Sequence, residues 1–334
     1  MSEMTFEETV EYFEYFQSGR SNPTLRRYEA FQAGGDVEAL HKAMAGKGCD
    51  EQTIASIICK RTNSQRQEIK QAYKAKYQSD LVKDLMKELK SNLEDLVVAL
   101  LSPPDEYDAA QIHKAVKGLG TAEIVLIELL CSRPNSDIEK MKFAYRHLYA
   151  RDMDKDVASD TSGDFRKLLM SLLNANRDES YHVDRAKAQM DAEALYKGGE
   201  GKLGTDEALF TRIFASQSYA QLQAIFKEYK AQRGHEIEHA IKKEFSGDTK
   251  EALLAIVKVV KNRPAFFAER LYKAMKGMGC DDSTLIRVIV SRSEIDMQEI
   301  KAAYAAQYKT TLEEAITKEA KGHYRAALLA LIEG

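Results

Sequence analysis

One short stretch, Met44-Ala45-Gly46-Lys47-Gly48-Cys49-Asp50-Glu51, is written four times along the chain. A chain that repeats itself at a near-constant interval folds as repeated units, each too small to bury its own apolar face alone. The stretch returns as Val116-Lys117-Gly118-Leu119-Gly120-Thr121-Ala122-Glu123, as Gly201-Lys202-Leu203-Gly204-Thr205-Asp206-Glu207 and as Met275-Lys276-Gly277-Met278-Gly279-Cys280-Asp281-Asp282. Measured at the residue after the second glycine, the intervals are 72 (Cys49 to Thr121), 84 (to Thr205) and 75 (to Cys280). Carried through these offsets, Tyr73 falls on Tyr145, Tyr229 and Tyr304, and Leu100 on Leu172, Ile256 and Leu331. Large apolar residues in register argue for one supersecondary unit used four times. The expected organisation is an N-terminal head (1–32), repeat one (33–102), repeat two (105–173), a linker (174–189), repeat three (190–260) and repeat four (264–334). The linker accounts for the longest offset, and it suggests that unit one pairs with two and unit three with four.

Within 334 residues there are five prolines and no tryptophan, against an abundance of Ala, Leu, Lys and Glu, which places the chain in the all-α class. The first unit reads as five helical segments. Val37, Leu40, Ala43 and Met44 stripe the first, and Ile54, Ile57, Ile58 and Cys59 the second. Asn63 or Ser64 caps the third, which carries Ile69, Ala72, Tyr73 and Tyr77. Leu81, Leu85 and Leu89 mark the fourth. Leu93, Leu96, Val97, Leu100 and Leu101 mark the fifth, which Pro103-Pro104 stops. In the head, Thr5-Phe6-Glu7-Glu8 is a capping box opening a short amphipathic helix. Phe6, Val10, Phe13 and Gln17 line one face and Glu7, Glu8, Glu11 and Glu14 the other. Gly19 and Pro23 end it, and the basic Arg20, Arg26 and Arg27 follow. It reads as a helix docked on the core or as a helix offered to a protein partner.

Net charge is −3, so no global basic field exists to hold nucleic acid or an anionic membrane. Anything that binds a negative surface here must bring its own positive charge. The start of the chain leads into no apolar signal segment, and no apolar run approaches the ~18 residues of a spanning helix. Cys49, Cys59, Cys131 and Cys280 lack metal-ligand spacing, as in a reduced, cytosolic protein. No P-loop, G-x-S-x-G or H-E-x-x-H is present, and the seven histidines do not cluster, so no enzymatic function is expected. Asp152-Met153-Asp154-Lys155-Asp156 opens like an EF-hand, but Val157 holds the glycine position and Gly163 the bidentate-glutamate position, which excludes it.

Two glycines one residue apart, between helices, let the backbone turn and bring carbonyl oxygens together. Converging carbonyls suit a hard cation such as Ca²⁺, which takes ~6–8 oxygens at ~2.4 Å, but they bring little charge and need a carboxylate. Forty residues after Gly48, Gly120, Gly204 and Gly279 stand Glu88, Asp160, Glu244 and Glu319. With 52 acidic residues in 334, four acids at one preset offset would arise by chance on the order of once in a thousand.

The Gly-x-Gly-Thr/Cys-Asp/Glu loop, the acid forty positions on and four units of about seventy residues resemble the annexin family over nearly everything after residue 33. Asp160-Thr161-Ser162-Gly163-Asp164 and Val290-Ser291-Arg292-Ser293-Glu294 also resemble stretches typical of that family. The resemblance implies five helices per repeat, assembled in a curved disc with calcium loops on its convex face. It also implies reversible, calcium-dependent binding to acidic phospholipid. Carried over by position, the calcium ligands would be carbonyls of Met44, Gly46 and Gly48 with Glu88; Val116, Gly118 and Gly120 with Asp160; and Met275, Gly277 and Gly279 with Glu319. The third loop, Gly198-Gly199-Glu200-Gly201-Lys202-Leu203-Gly204, is longer and resembles the family's variant, implying Gly199, Lys202 and Gly204 with Glu244. Cys49 and Cys280 replace the more usual threonine, which leaves the main carbonyl sites standing and puts a weaker accessory site in doubt.

Five protein oxygens per site leave about two positions for water or a lipid phosphate, so calcium would supply the positive charge that the sequence lacks. Four sites on one face would add avidity. Lys47, Leu119, Leu203 and Met278 stand at the loop tips, positioned to touch headgroups. Localisation is expected to be cytoplasmic and peripheral to membranes, with export by a non-classical route and self-association on membranes left open. The competing reading is a helical-repeat adaptor acting through its N-terminal helix. Seven residues after the loop Thr/Cys stand Ser56, Glu128, Arg212 and Arg287. They are expected to line a polar seam between repeats, with Asp108 and Arg133 nearby, as structural ion pairs or, by the annexin resemblance, as a hydrophilic channel.

Overall fold

The computed structural model describes residues 22–45, 48–118, 120–277 and 279–334. The head helix opened by Thr5, with Arg20, therefore lies outside the described residues, as do Gly46, Lys47, Leu119 and Met278. All regular structure among the described residues is helical. Repeat one consists of α1 (Ala33–Met44), α2 (Glu51–Ile58), α3 (Asn63–Tyr77), α4 (Leu81–Glu88) and α5 (Ser91–Leu101). Repeat two follows as α6 (Pro104–Val116), α7 (Glu123–Ser132), α8 (Asn135–Tyr149), α9 (Met153–Asp160) and α10 (Gly163–Leu173). Repeat three opens with α11 (Arg185–Gly198), α12 (Glu207–Ser216), α13 (Tyr219–Arg233) and α14 (Ile237–Glu244). Its fifth helix runs into the first of repeat four as α15 (Gly247–Met275), broken at Asn262 (φ −164°, ψ 94°) just before Pro264. Then come α16 (Asp282–Arg292), α17 (Met297–Tyr308), α18 (Leu312–Glu319) and α19 (Gly322–Glu333).

The local causes repeat with the elements. Each fifth helix buries an i, i+3, i+4, i+7, i+8 stripe. In α5 it is Leu93, Leu96, Val97, Leu100 and Leu101; in α10 it is Phe165, Leu168, Leu169, Leu172 and Leu173. The first residue of each is left-handed: Ser91, Gly163, Gly247 and Gly322 have φ of 57°, 57°, 55° and 59°. Pro104 does more than stop α5. It is the first residue of α6, where a missing N–H costs nothing. Helix α3 is capped by Thr62 rather than Asn63 or Ser64, with Gln65 Oε1 accepting from Thr62 N at 3.2 Å. The four register tyrosines, Tyr73, Tyr145, Tyr229 and Tyr304, are all buried.

Contacts group the helices into two units, one formed by repeats two and three (residues 108–263) and the other by repeats one and four (21–107 and 264–334). In the first, α10 packs on α12, and the Tyr219 hydroxyl donates to the carbonyl of Cys131 at 3.2 Å. In the second, α5 packs on α16 and α2 on α19. This corrects the pairing of one with two and three with four. The stretch after α10 is long because of the path it takes. Glu179 accepts from Asn135 N at 2.8 Å at the start of α8, and the carbonyl of Arg177 accepts from Asn135 Nδ2 at 2.8 Å. Arg177 Nη1 and Asp178 N then donate to Gln217 O (2.7 Å) and Ser216 O (2.9 Å) at the end of α12. The linker stitches repeats two and three together.

Candidate metal-binding loops

Each loop between the first and second helix of a repeat is closed by one backbone hydrogen bond. Asp50 N donates to Ala43 O (2.9 Å), Ala122 N to Ala115 O (3.0 Å), Asp206 N to Gly198 O (2.6 Å) and Asp281 N to Ala274 O (2.8 Å). The bond spans seven positions in repeats one, two and four and eight in repeat three (198 to 206), so the third loop is one residue longer. The second glycines Gly48, Gly120, Gly204 and Gly279 turn with φ of 101°, 89°, 81° and 99°, a region side chains resist. Asp50, Asp206 and Asp281 then cap the next helix, each accepting a backbone N–H at 3.0 Å. Ala122 has no side chain to do so. The residue after each closing carbonyl is Met44, Val116, Met275 and, in the longer loop, Gly199. The closure thus puts Gly199 in register with the first carbonyl expected of the other three.

The four acids are the last residues of α4, α9, α14 and α18. Thr121 Oγ1 donates to Asp160 Oδ2 at 2.6 Å and to the Asp160 carbonyl at 2.8 Å. Thr205 Oγ1 donates to Glu244 Oε2 at 2.8 Å. A β-carbon on Gly199 would lie 3.4 Å from Glu244 Cγ and 3.2 Å from Leu195 O, so this backbone passes directly against the acid. In repeats one and four a cysteine stands at the threonine's position. Burial pushes the Cys49 thiol up, and Glu88, Glu51 and Asp50 push it further. Burial, Asp282, Glu319 and Asp281 raise Cys280 to about 12. Loop and acid are therefore joined by a hydrogen bond in repeats two and three, and in repeats one and four the acid lies near enough for its charge to be felt at the loop cysteine. The threonine bonds were missed in the sequence, although Thr121 and Thr205 stand at a shared distance of 39 residues from Asp160 and Glu244.

The third loop has a further anchor. Tyr73 and Tyr145 donate their hydroxyls to Asp84 (3.1 Å) on α4 and Asp156 (2.7 Å) on α9. Repeat three has Ala240 at that place, and Tyr229 donates instead to Glu200 Oε2 (2.8 Å) in the loop itself. His235, His239 and Lys243 lie 3.4, 3.8 and 3.8 Å from the same carboxylate. Lys202 N donates to Gly199 O at 3.1 Å, and Leu203 at the tip is fully exposed.

Among the described residues, no three His, Cys, Asp or Glu side chains stand together in a way that could hold a metal. The donors on offer are backbone carbonyls and one carboxylate per loop. That all-oxygen set fits a hard cation and not a thiophilic one. The positions Met44, Gly48, Glu88, Val116, Gly118, Gly120, Asp160, Gly199, Lys202, Gly204, Glu244, Met275, Gly277, Gly279 and Glu319 all fall in these loops or at their feet.

The second constellation divides. Glu128 and Arg287 are buried, whereas Ser56 and Arg212 are exposed on their helices. Arg133 grips Asp108 through Nε (2.7 Å) and Nη2 (3.2 Å). Burial works against the Arg133 charge, but Asp108, joined by Glu128, outweighs it and raises the guanidinium. Arg61 and Asp36 form the same fork at 2.7 and 2.9 Å in repeat one. These are structural ion pairs.

A family model described as Annexin matches four segments, 35–100, 107–172, 190–256 and 266–331. Annexin A7 of Macaca fascicularis is 47% identical over 309 residues, which cover 92% of this chain and 63% of that protein. The chain thus spans less than two thirds of that relative. Annexin A1 of Homo sapiens is 44% identical over 329 residues, covering 98% of this chain and 95% of that one. The solved structure of annexin III superposes with a TM-score of 0.92 at 43% identity, covering 94% of this chain and 97% of that chain. These matches indicate no catalytic family.

Proposed function

The chain belongs to the annexin family, and on that premise we propose that it binds acidic phospholipid surfaces reversibly and only when calcium is present. The observation that carries this reading is a hydrogen-bonded glycine loop in every repeat with a carboxylate at the end of each fourth helix, the two joined directly by a hydrogen bond in repeats two and three. The residues that would hold calcium are the carbonyls of Met44, Gly46 and Gly48 with Glu88, and of Val116, Gly118 and Gly120 with Asp160. In the other two repeats they are Gly199, Lys202 and Gly204 with Glu244, and Met275, Gly277 and Gly279 with Glu319. When bound, calcium supplies the positive charge that a chain of net charge −3 lacks, and a lipid phosphate can take the oxygen positions the protein leaves open.

The chain's own residues prepare that surface. The closing hydrogen bonds fix the loop backbones, the second glycines turn the carbonyls, and the helix ends deliver the acids. Leu203 projects from the third loop toward where a headgroup layer would lie. No helix among the described residues is long and apolar enough to cross a membrane, in keeping with attachment from one side. The head, residues 1–32, is proposed to carry any protein partner, and copies are proposed to associate on the membrane. A pure adaptor would have no use for an acid at the foot of each loop.

Co-sedimentation with phosphatidylserine vesicles tests the reading. The protein is expected to pellet with calcium and to return to the supernatant with excess chelator. Protein that stays in solution at millimolar calcium would overturn it.

A further inference from the structure

The residue after the second glycine sorts the four loops into two kinds. In loops two and three it is a threonine whose hydroxyl is hydrogen-bonded to the acid at the loop's foot, at 2.6 Å for Thr121–Asp160 and 2.8 Å for Thr205–Glu244. In loops one and four it is a half-buried cysteine. Among the described residues no hydrogen bond joins Cys49 to Glu88 or Cys280 to Glu319. Asp282, two residues after Cys280, receives the Tyr324 hydroxyl at 2.9 Å. A thiol is in any case a weak donor beside a hydroxyl.

We infer that Thr121 and Thr205 are positioning residues that hold Asp160 and Glu244 ready for the ion, and that loops two and three therefore take calcium more tightly than loops one and four. This rests on the calcium reading above. The physical reason is rotamer freedom. A carboxylate on an unrestrained side chain loses conformational entropy when an ion arrives, and one already fixed has lost it on folding. The hydroxyl occupies one lone pair of one oxygen, so both oxygens keep a lone pair for the cation. Glu88 shows the contrast. It is the one acid of the four that is exposed, and no threonine stands at its loop position.

The test isolates one loop at a time in the full chain and measures Ca²⁺ binding by calorimetry without lipid. Glu88→Gln, Asp160→Asn and Glu319→Gln together leave loop three. Adding Thr205→Val is expected to weaken calcium about three- to ten-fold, and Thr205→Ser to restore it. The companion protein with Glu88→Gln, Asp160→Asn and Glu244→Gln leaves loop four, where Cys280→Thr is expected to strengthen calcium by a similar factor. Thermal midpoints without calcium, unchanged between Thr205→Val and its parent, separate positioning from folding. Equal affinities for Thr205→Val and its parent, or no gain from Cys280→Thr, overturn the inference alone. Adding Glu244→Gln to the loop-three protein must abolish binding. Calcium binding that survives it overturns the ligand reading and the inference with it.

Discussion

Ser91 begins α5 with φ 57°, where the other three fifth helices begin with glycine. A non-glycine residue in that region carries strain of about 1 kcal/mol. A β-carbon at the matching Gly163, Gly247 and Gly322 meets nothing within 4 Å, so space is not the issue and only the backbone conformation is. Ser91→Gly is therefore expected to stabilise the protein by about 1 kcal/mol, less the entropy glycine adds to the unfolded chain. The readout is a thermal midpoint raised by about 1–2 °C. At this scale the sequence told much about position and less about partners. Tyr73, Tyr145, Tyr229 and Tyr304 could be placed in the core from their offsets. The destination of each hydroxyl could not, because Asp84 and Asp156 sit on fourth helices whereas Glu200 sits in a loop.

Helix ends are held from a distance in this chain, and that makes some single charges costly to remove. Glu294 accepts from Asn63 N (2.8 Å) at the start of α3 and from Arg66 Nη2 (2.8 Å). Arg66 is 1% exposed, and burial pulls its guanidinium down while Glu294 works to keep it charged. Glu294→Ala is expected to cost about 2 kcal/mol by denaturant unfolding. Removing Glu38, whose pair with Lys76 lies in solvent, should leave the midpoint unchanged. Asp156, at the foot of Tyr145, gives a pH signature. The Arg151 guanidinium, against burial and with the Tyr145 hydroxyl, holds its carboxyl below the ordinary 3.8. A depressed carboxylate contributes stability above its unfolded value and loses it as pH falls through the folded one. The thermal midpoint of Asp156→Asn is thus expected to lie below that of the parent at pH 7, with the gap closing as pH drops below about 4. The helices themselves were legible because apolar spacing sets them. The exposure of Ser56 and Arg212 was not, because seven residues of shared register do not say which helix face a repeat turns to solvent.

The pairing of repeats one with four and two with three places two acids in each unit, Glu88 and Glu319 in one and Asp160 and Glu244 in the other. Under the proposed function, losing the acids of one unit should raise the calcium needed for half-maximal vesicle pelleting without abolishing it, and losing all four should abolish it. Pelleting unchanged in the fourfold variant would sink the role given to these residues. The fourfold acid pattern was readable because covalent distance repeats along the chain. The pairing was not, because the length after α10 records the route past Asn135 and Ser216 and says nothing of which repeat lies alongside. The closing hydrogen bonds carry a last implication. They run between main-chain atoms, so in the third loop the frame makes no demand on Leu203, which stands fully exposed at its tip. Such a position is a free letter in a fixed sentence. Mutation can rewrite what the molecule says to a surface while leaving untouched the grammar by which it folds.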